Sequence, residues 1–210
     1  MTESGTAAAT GPTMPRRPLI HPLIVRLTHW VNAGAMGMMI SSGWAIHNAY
    51  PTLPFLFPSW ITLGGSLTGG LQWHFAGMWL VIVNGLVYLA NGILTGRFRR
   101  KLLPITPNAI VVDLRAAFAG RVSHEDISVY NAVQRLLYLG VILASVLVVA
   151  SGLSIWKPVQ LRWLVTLLGD FDNARLVHFA AMSVIVGFIV VHAAMALLVP
   201  KTLRAMIRGR

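Results

Sequence analysis

Four long stretches of the chain are apolar and nearly free of charge, at about 25–46, 71–95, 132–156 and 175–199. A helix of roughly 20 apolar residues crosses about 30 Å of hydrocarbon, so the pattern predicts four transmembrane helices packed as a bundle. The fold class is an all-α integral membrane protein. The segments between the runs differ in character. Residues 47–70, HNAYPTLPFLFPSWITLGGSLTGG, are rich in Pro, Gly and aromatics and carry no Lys, Arg, Asp or Glu, which suits a loop lying at the membrane surface with Trp60 and Phe57 as interface anchors. The 97–129 segment is longer and basic, and the apolar spacing of NAIVVDLRAAFAG, 108–120, suits either a short helix lying on the inner leaflet or a solvated connector of charge-biased composition. Residues 156–175 mix two Trp with three basic and two acidic side chains and read as a docking or lipid-interface surface. No internal repeat stands out at a period of 20 to 50 residues, and no repeated half of the kind transporters carry. The expected layout is a disordered tail over 1–20, a four-helix domain over 21–203 and a basic tail over 204–210.

Charge gives the bundle a direction. The chain is 56% hydrophobic and 11% charged, too apolar for a soluble domain of 210 residues, yet its net charge is +11. That excess is not laid out as a nucleic-acid-binding face would be; it sorts by loop. Arg16, Arg17 and Arg26 precede or open the first run, seven basic residues from Arg97 to Arg135 lie between the second and third, and Lys201, Arg204, Arg208 and Arg210 follow the fourth. These share one side of the membrane, and the positive-inside rule makes it cytoplasmic, with both termini there. The protein is expected in the bacterial inner membrane. Arg16 and Arg17 are a weak twin-arginine match, but Pro18, His21, Pro22 and Arg26 interrupt the apolar run of a signal peptide, so the first span is expected to be retained. There is no cysteine, which excludes disulfides, thiolate-held iron–sulfur clusters and covalently attached haem.

Histidines are the chemistry inside the spans. His21 and His124 fall outside the apolar runs and His47 at the outer end of the first, and all three read as solvated or interfacial. His29, His74, His178 and His192 lie within runs, where an ionisable side chain is costly and is a functional candidate by default. With the N-terminus inside, His29 sits at the inner end of its helix, His74 and His178 near the outer ends of theirs, and His192 about 21 Å deeper than His178 at about 1.5 Å per residue. Fourteen residues leave two side chains on nearly the same helix face, so depth pairs His74 with His178 and His29 with His192. Zinc normally takes three or four protein ligands, and no Asp, Glu or Cys accompanies either pair within the runs. Iron in a porphyrin needs two axial ligands, so two b-type haems fit. Ala33 and Gly34 after His29, and Ala76 and Gly77 after His74, leave room for a flat ring, whereas Met36, Met38 and Met39 read as ordinary packing.

The stretches RLTHW, WHFAGMW and YNAVQR, with two histidines fourteen apart in the last run, resemble the prokaryotic cytochrome b561 and hydrogenase/formate-dehydrogenase cytochrome b family from Pro22 to Arg210. The resemblance implies a four-helix di-haem subunit whose first, second and fourth helices carry the axial ligands, here His29, His74, His178 and His192. It also places Asn131 and Gln134 in the segment that contacts an exchangeable quinone, with Val133 where formate-dehydrogenase-like members carry Gly. GLSIWKPVQ and PKTLRAMIRGR look like the members that serve periplasmic molybdopterin enzymes. The function so implied is an electron-transfer subunit linking a periplasmic redox partner to the quinone pool. The alternative within the same resemblance is a stand-alone superoxide:quinone oxidoreductase, for which Lys157, Arg162 and Arg175 would steer the anion.

Overall fold

The computed structural model describes residues 21–96, 108, 111–113, 115 and 132–209, and it is all-helical over them. Four long helices, α1 (Leu23–Ala49), α2 (Leu67–Leu94), α3 (Ala132–Trp156) and α5 (Phe171–Leu198), are joined by a 3-10 turn at Ser59–Ile61 and a short α4 (Arg162–Leu167), and α6 (Pro200–Arg208) closes the chain. Three of them, α2, α3 and α5, are long and apolar enough to cross a membrane. α1 has 27 residues but a more polar composition, with Arg26, Thr28, His29, Asn32, Ser41, Ser42, His47 and Asn48 along it. The expected tail over 1–20, Asn131, His124 and most of the 108–120 segment lie outside the described residues; Asn108, Val111, Val112, Asp113 and Arg115 of that segment are helical.

Both α2 and α5 begin four residues before the apolar runs do, because polar caps start them. Ser66 accepts the Gly69 N–H and Asp170 the Asn173 N–H, each satisfying a backbone donor that the first turn leaves open. As a result His74 and His178 sit about two turns inside their helices, deeper than the apolar runs alone suggest.

Those two caps belong to a larger correspondence, which overturns the expectation that the chain has no repeated half. Moving α2 by 104 positions lays Leu67–Leu94 onto Phe171–Leu198, with Ser66 on Asp170, His74-Phe75-Ala76 on His178-Phe179-Ala180 and Met78 on Met182. A shift of 109 lays α1 on α3, with Arg26-Leu27 on Arg135-Leu136, Ala35 on Ala144, Ser42-Gly43 on Ser151-Gly152 and Ile46 on Ile155. Burial follows the same register: Ala35, Ala144, Ser42 and Ser151 are all buried, as are Gly70 with Ala174 and Gly77 with Ala181. Two hairpins, α1–α2 and α3–α5, are thus copies of one design. The different shifts reflect connecting loops of unequal length, which hides the repeat from any search at a fixed period.

Each hairpin packs closely within itself, while contact between the backbones of the two hairpins is sparse. Small residues permit the close approach inside a hairpin. A Cβ on Gly70 would lie 3.2 Å from Ala45 Cβ, and one on Gly77 would lie 3.0 Å from Met39 Sδ. Gly77 therefore seats α2 against Met38 and Met39 of α1, and does not leave room for a ring as its place after His74 suggested. The expectation that Met38 and Met39 serve packing holds.

The first outer loop folds back over the end of α1. Leu63 N donates to Ser41 O, and the Asn48 amide clamps Phe57, accepting its N–H and donating to its carbonyl, both at 2.8 Å. Phe57 accordingly stacks on Trp44 with centroids 4.7 Å apart, turned inward and not outward as an anchor, while Trp60 is 84% exposed. At the opposite end Arg26 donates to the carbonyls of Met206 and Ile207. The basic closing stretch is therefore helical and docked on the start of α1, where the Arg26 side chain satisfies carbonyls that the C-terminal turn leaves open.

Candidate functional site

Four imidazoles meet in two pairs. The ring centroids of His74 on α2 and His178 on α5 are 6.4 Å apart at 66°, and those of His29 on α1 and His192 on α5 are 6.0 Å apart at 62°. These are the partners that depth in the helices predicted, and α5 contributes one ring to each. Every pair joins the first hairpin to the second.

The outer pair is held by matching hydrogen bonds. His74 Nδ1 lies 3.1 Å from both Met39 O and Ser42 Oγ, and His178 Nδ1 lies 2.9 Å from Val148 O and 3.2 Å from Ser151 Oγ. A backbone carbonyl only accepts, so each Nδ1 carries the proton and donates. The serine hydroxyls spend their own protons on Met38 O and Leu147 O, 2.6 and 2.7 Å away, and accept from the imidazoles. With Nδ1 protonated, each Nε2 is left with its lone pair, the tautomer a metal ligand requires. Gly43 and Gly152, each following its serine, bring the helix backbone against the rings: a Cβ would meet His74 Cε1 at 3.5 Å and His178 Cε1 at 3.0 Å. At the inner pair, Trp30 packs edge-on to His29 with centroids 5.3 Å apart, and Phe188 stacks on His192 at 5.7 Å and 13°.

What such pairs hold follows from their dimensions. Two metal–nitrogen bonds of about 2.0 Å and two imidazole radii of about 1.2 Å put trans ring centroids about 6.4 Å apart. Both observed separations lie within 0.4 Å of that figure. No group of three or more His, Cys, Asp or Glu side chains converges among the described residues, so each pair offers two imidazoles and no further protein donor. A haem iron, with four equatorial nitrogens of its own, fits that set. A Cβ added at Gly34 or Gly37 of α1, or at Gly187 of α5, would meet nothing within 4 Å.

The family model for prokaryotic cytochrome b561 matches residues 20–209. The chain belongs to that family. It is similar at 52% identity over 190 residues, 90% of this chain and 96% of the relative, to the protein of Azospira oryzae named "Putative protein-methionine-sulfoxide reductase subunit YedZ1". Membership brings b-type haem and electron transfer in a membrane, and the apolar helices make this cytochrome b561 a multi-pass membrane protein.

Several residues of the outer end have roles that their sequence positions did not suggest. His47, expected to be solvated or interfacial, is only 6% exposed. Its Nε2 lies 3.1 Å from Phe55 O and donates to it, its Nδ1 accepts the Thr52 N–H at 3.4 Å, and its ring lies among Phe55, Phe57 and Phe179. The repeat places Trp156 at the equivalent position in the second hairpin. His47 touches Phe179, which follows His178, at 5.1 Å, and Trp156 touches Phe75, which follows His74, at 5.3 Å. Arg175 is not a free cation at the mouth: its guanidinium donates to Tyr50 O and Thr52 Oγ1, pairs with Asp172 and lies 4.3 Å over the Tyr50 ring. Ser42 and Ser151 went unread as site residues, and the shared Ser-Gly and His-Phe-Ala strings are the signal that finds them. Gln134 lies in the first turn of α3, at the same end of the bundle as His29, and its side chain, like Asn131, lies outside the described residues.

Proposed function

We propose that this cytochrome b561 is the membrane electron-transfer subunit of a periplasmic oxidoreductase, linking that partner to the quinone pool through two b-type haems. The observation that carries the reading is the two facing imidazole pairs at 6.4 and 6.0 Å, aligned along one helix. His74 and His178 would hold the iron of the outer haem, and His29 and His192 that of the inner one. α1 serves as the fourth span, and the basic bias supports an orientation with both termini in the cytoplasm, the chain lying in the bacterial inner membrane. Each haem, when bound, supplies a one-electron carrier, and two protein ligands leave its iron no open position for oxygen chemistry. Asn131 and Gln134, at the cytoplasmic end of α3, offer hydrogen bonds to the quinone. The relative's name ties it to a protein-methionine-sulfoxide reductase; on that analogy the periplasmic partner reduces sulfoxides, and electrons run outward from quinol. Its docking face is the Trp156–Arg175 loop, where Trp156 and Trp163 are exposed and Lys157 lies 4.8 Å over the Trp156 ring.

The superoxide-oxidising alternative asks for a cationic mouth at the outer haem. The engagement of Arg175 leaves Lys157 and Arg162 for that task beside Asp170 and Asp172, a weak field for an anion. The test of the main reading is a reduced-minus-oxidised spectrum of the purified protein with a haem-to-protein ratio. Two haems that are reduced by added quinol are expected. A single haem would sink the two-centre reading, and failure of quinol to reduce either haem would sink the link to the quinone pool.

A further inference from the structure

At its inner end α5 stops and a second helix starts at once. Leu197 and Leu198, the last two residues of α5, are apolar and exposed, so lipid reaches its end. Val199 then leaves helical geometry, and Pro200, whose ring presets φ, opens α6. Lys201, Arg204 and Arg208 recur along α6 at spacings of three and four. At about 100° per residue they fall within an arc of about 60°, and all three are exposed. Buried Ala205, with Thr202 and Met206 half-buried beside it, occupies a second side of the helix, and Leu203 with exposed Ile207 a third. We propose that α6 is a binding site for an anionic phospholipid, whose phosphate is held by Lys201, Arg204 and Arg208 while its acyl chains lie in the hydrocarbon around Leu197 and Leu198. The proposal rests on the placement of the chain in a membrane, and on neither the number of haems nor the quinone.

Three observations carry it. The first is charge left uncompensated. Among the described residues no carboxylate pairs with these three cations; Asp170 and Asp172 lie at the far end of α5, where one caps the helix and the other pairs with Arg175. Phosphate oxygens accept charge-assisted hydrogen bonds from Lys and Arg alike, and beside hydrocarbon that attraction is screened less than in water. The second is depth. Val199 alone separates α6 from the last apolar turn of a helix able to span the membrane, which sets α6 at the level of the headgroups, with Ile207 available to the acyl boundary. A soluble acidic segment would use the cations and leave that apolar side uncovered, whereas a phospholipid uses both. The third is a fixed frame. Arg26 of α1 donates to the carbonyls of Met206 and Ile207, and Gly209, in left-handed geometry, donates its N–H to Ala205 O, so the last turn of α6 is closed and docked. The basic face is thereby held in one orientation before a lipid arrives, which leaves little ordering to oppose binding.

The experiment titrates the delipidated full chain, as purified in detergent, with phosphatidylglycerol and phosphatidylcholine of identical acyl chains, and reads the first bound lipid by native mass spectrometry. The unaltered protein should prefer phosphatidylglycerol. Lys201→Gln, Arg204→Gln and Arg208→Gln should each lower that preference about fivefold, the effect of one basic residue at a membrane surface, and the triple variant should abolish it. Haem content and absorbance spectrum, taken on the same samples, should match those of the unaltered protein; if the triple variant loses haem, the single variants carry the test. Equal binding of the two lipids by the unaltered chain would overturn the site. So would an undiminished preference in all the variants, since the anionic lipid would then be held elsewhere. Loss of the preference on adding inorganic phosphate, but not chloride at the same ionic strength, would make the site one for a soluble anion and overturn the lipid as its occupant.

Discussion

An imidazole in hydrocarbon needs every polar atom accounted for, and the His74–His178 pair meets that demand with one serine and one carbonyl at each Nδ1, leaving each Nε2 for the iron proposed above. His74→Ala or His178→Ala removes one of two protein bonds to the outer iron, so either should lower the haem-to-protein ratio from about two to about one. The remaining haem keeps the inner spectrum, and His29→Ala with His178→Ala should leave none. Ser42→Ala and Ser151→Ala make a finer test. Each withdraws an acceptor from an Nδ1–H and lowers the electron donation of that ligand, which favours ferrous iron. The outer haem should be retained with its midpoint potential raised by about 20–60 mV, the one-electron equivalent of a hydrogen bond worth about 0.5–1.5 kcal/mol. A redox titration showing a fall, or no change in either variant, would mean that the serines do not tune the ligand. The four histidines were legible because ionisable groups in apolar runs stand out and depth pairs them. His47 was not, since its burial depends on a loop that returns Phe55 and Phe57 to it, and that return is set by the Asn48 clamp, not by any pattern near His47.

Helix by helix, the repeat explains why similar segments do similar work and where they differ. Gly43 and Gly152 occupy equivalent places against the outer rings, but a Cβ would have 3.5 Å to His74 and only 3.0 Å to His178. Gly43→Ala should therefore leave haem content and spectrum unchanged, whereas Gly152→Ala should displace the His178 ring and reduce outer haem occupancy. Equal loss in both variants would show that the two hairpins grip their rings alike. The number of long helices and their order were legible from the apolar runs, and the boundaries were not. α2 and α5 begin at caps, Ser66 and Asp170, whose effect comes from a single hydrogen bond each and not from hydrophobicity. The repeat was concealed for a related reason: most positions differ, and the few identities include both buried residues such as Ser42 and Ser151 and exposed ones such as Leu94 and Leu198.

At the scale of the molecule, both imidazole pairs take one member from each hairpin, while the hairpins touch each other sparsely along their backbones. Divided in the inner loop near residue 116, the chain yields a first half with His29 and His74 and a second with His178 and His192. Each half should insert alone but bind no haem at ordinary affinity, and the two produced together should recover both spectra, as measured on co-purified halves. A half that binds haem by itself would count against the pairing. Haem held by these pairs would thus be less a passenger than the joint of the bundle. A cell short of haem would hold the newly inserted chain as two loosely associated hairpins, open to the membrane's proteases, so the supply of the cofactor would set how much of the polypeptide survives, before any electron has moved.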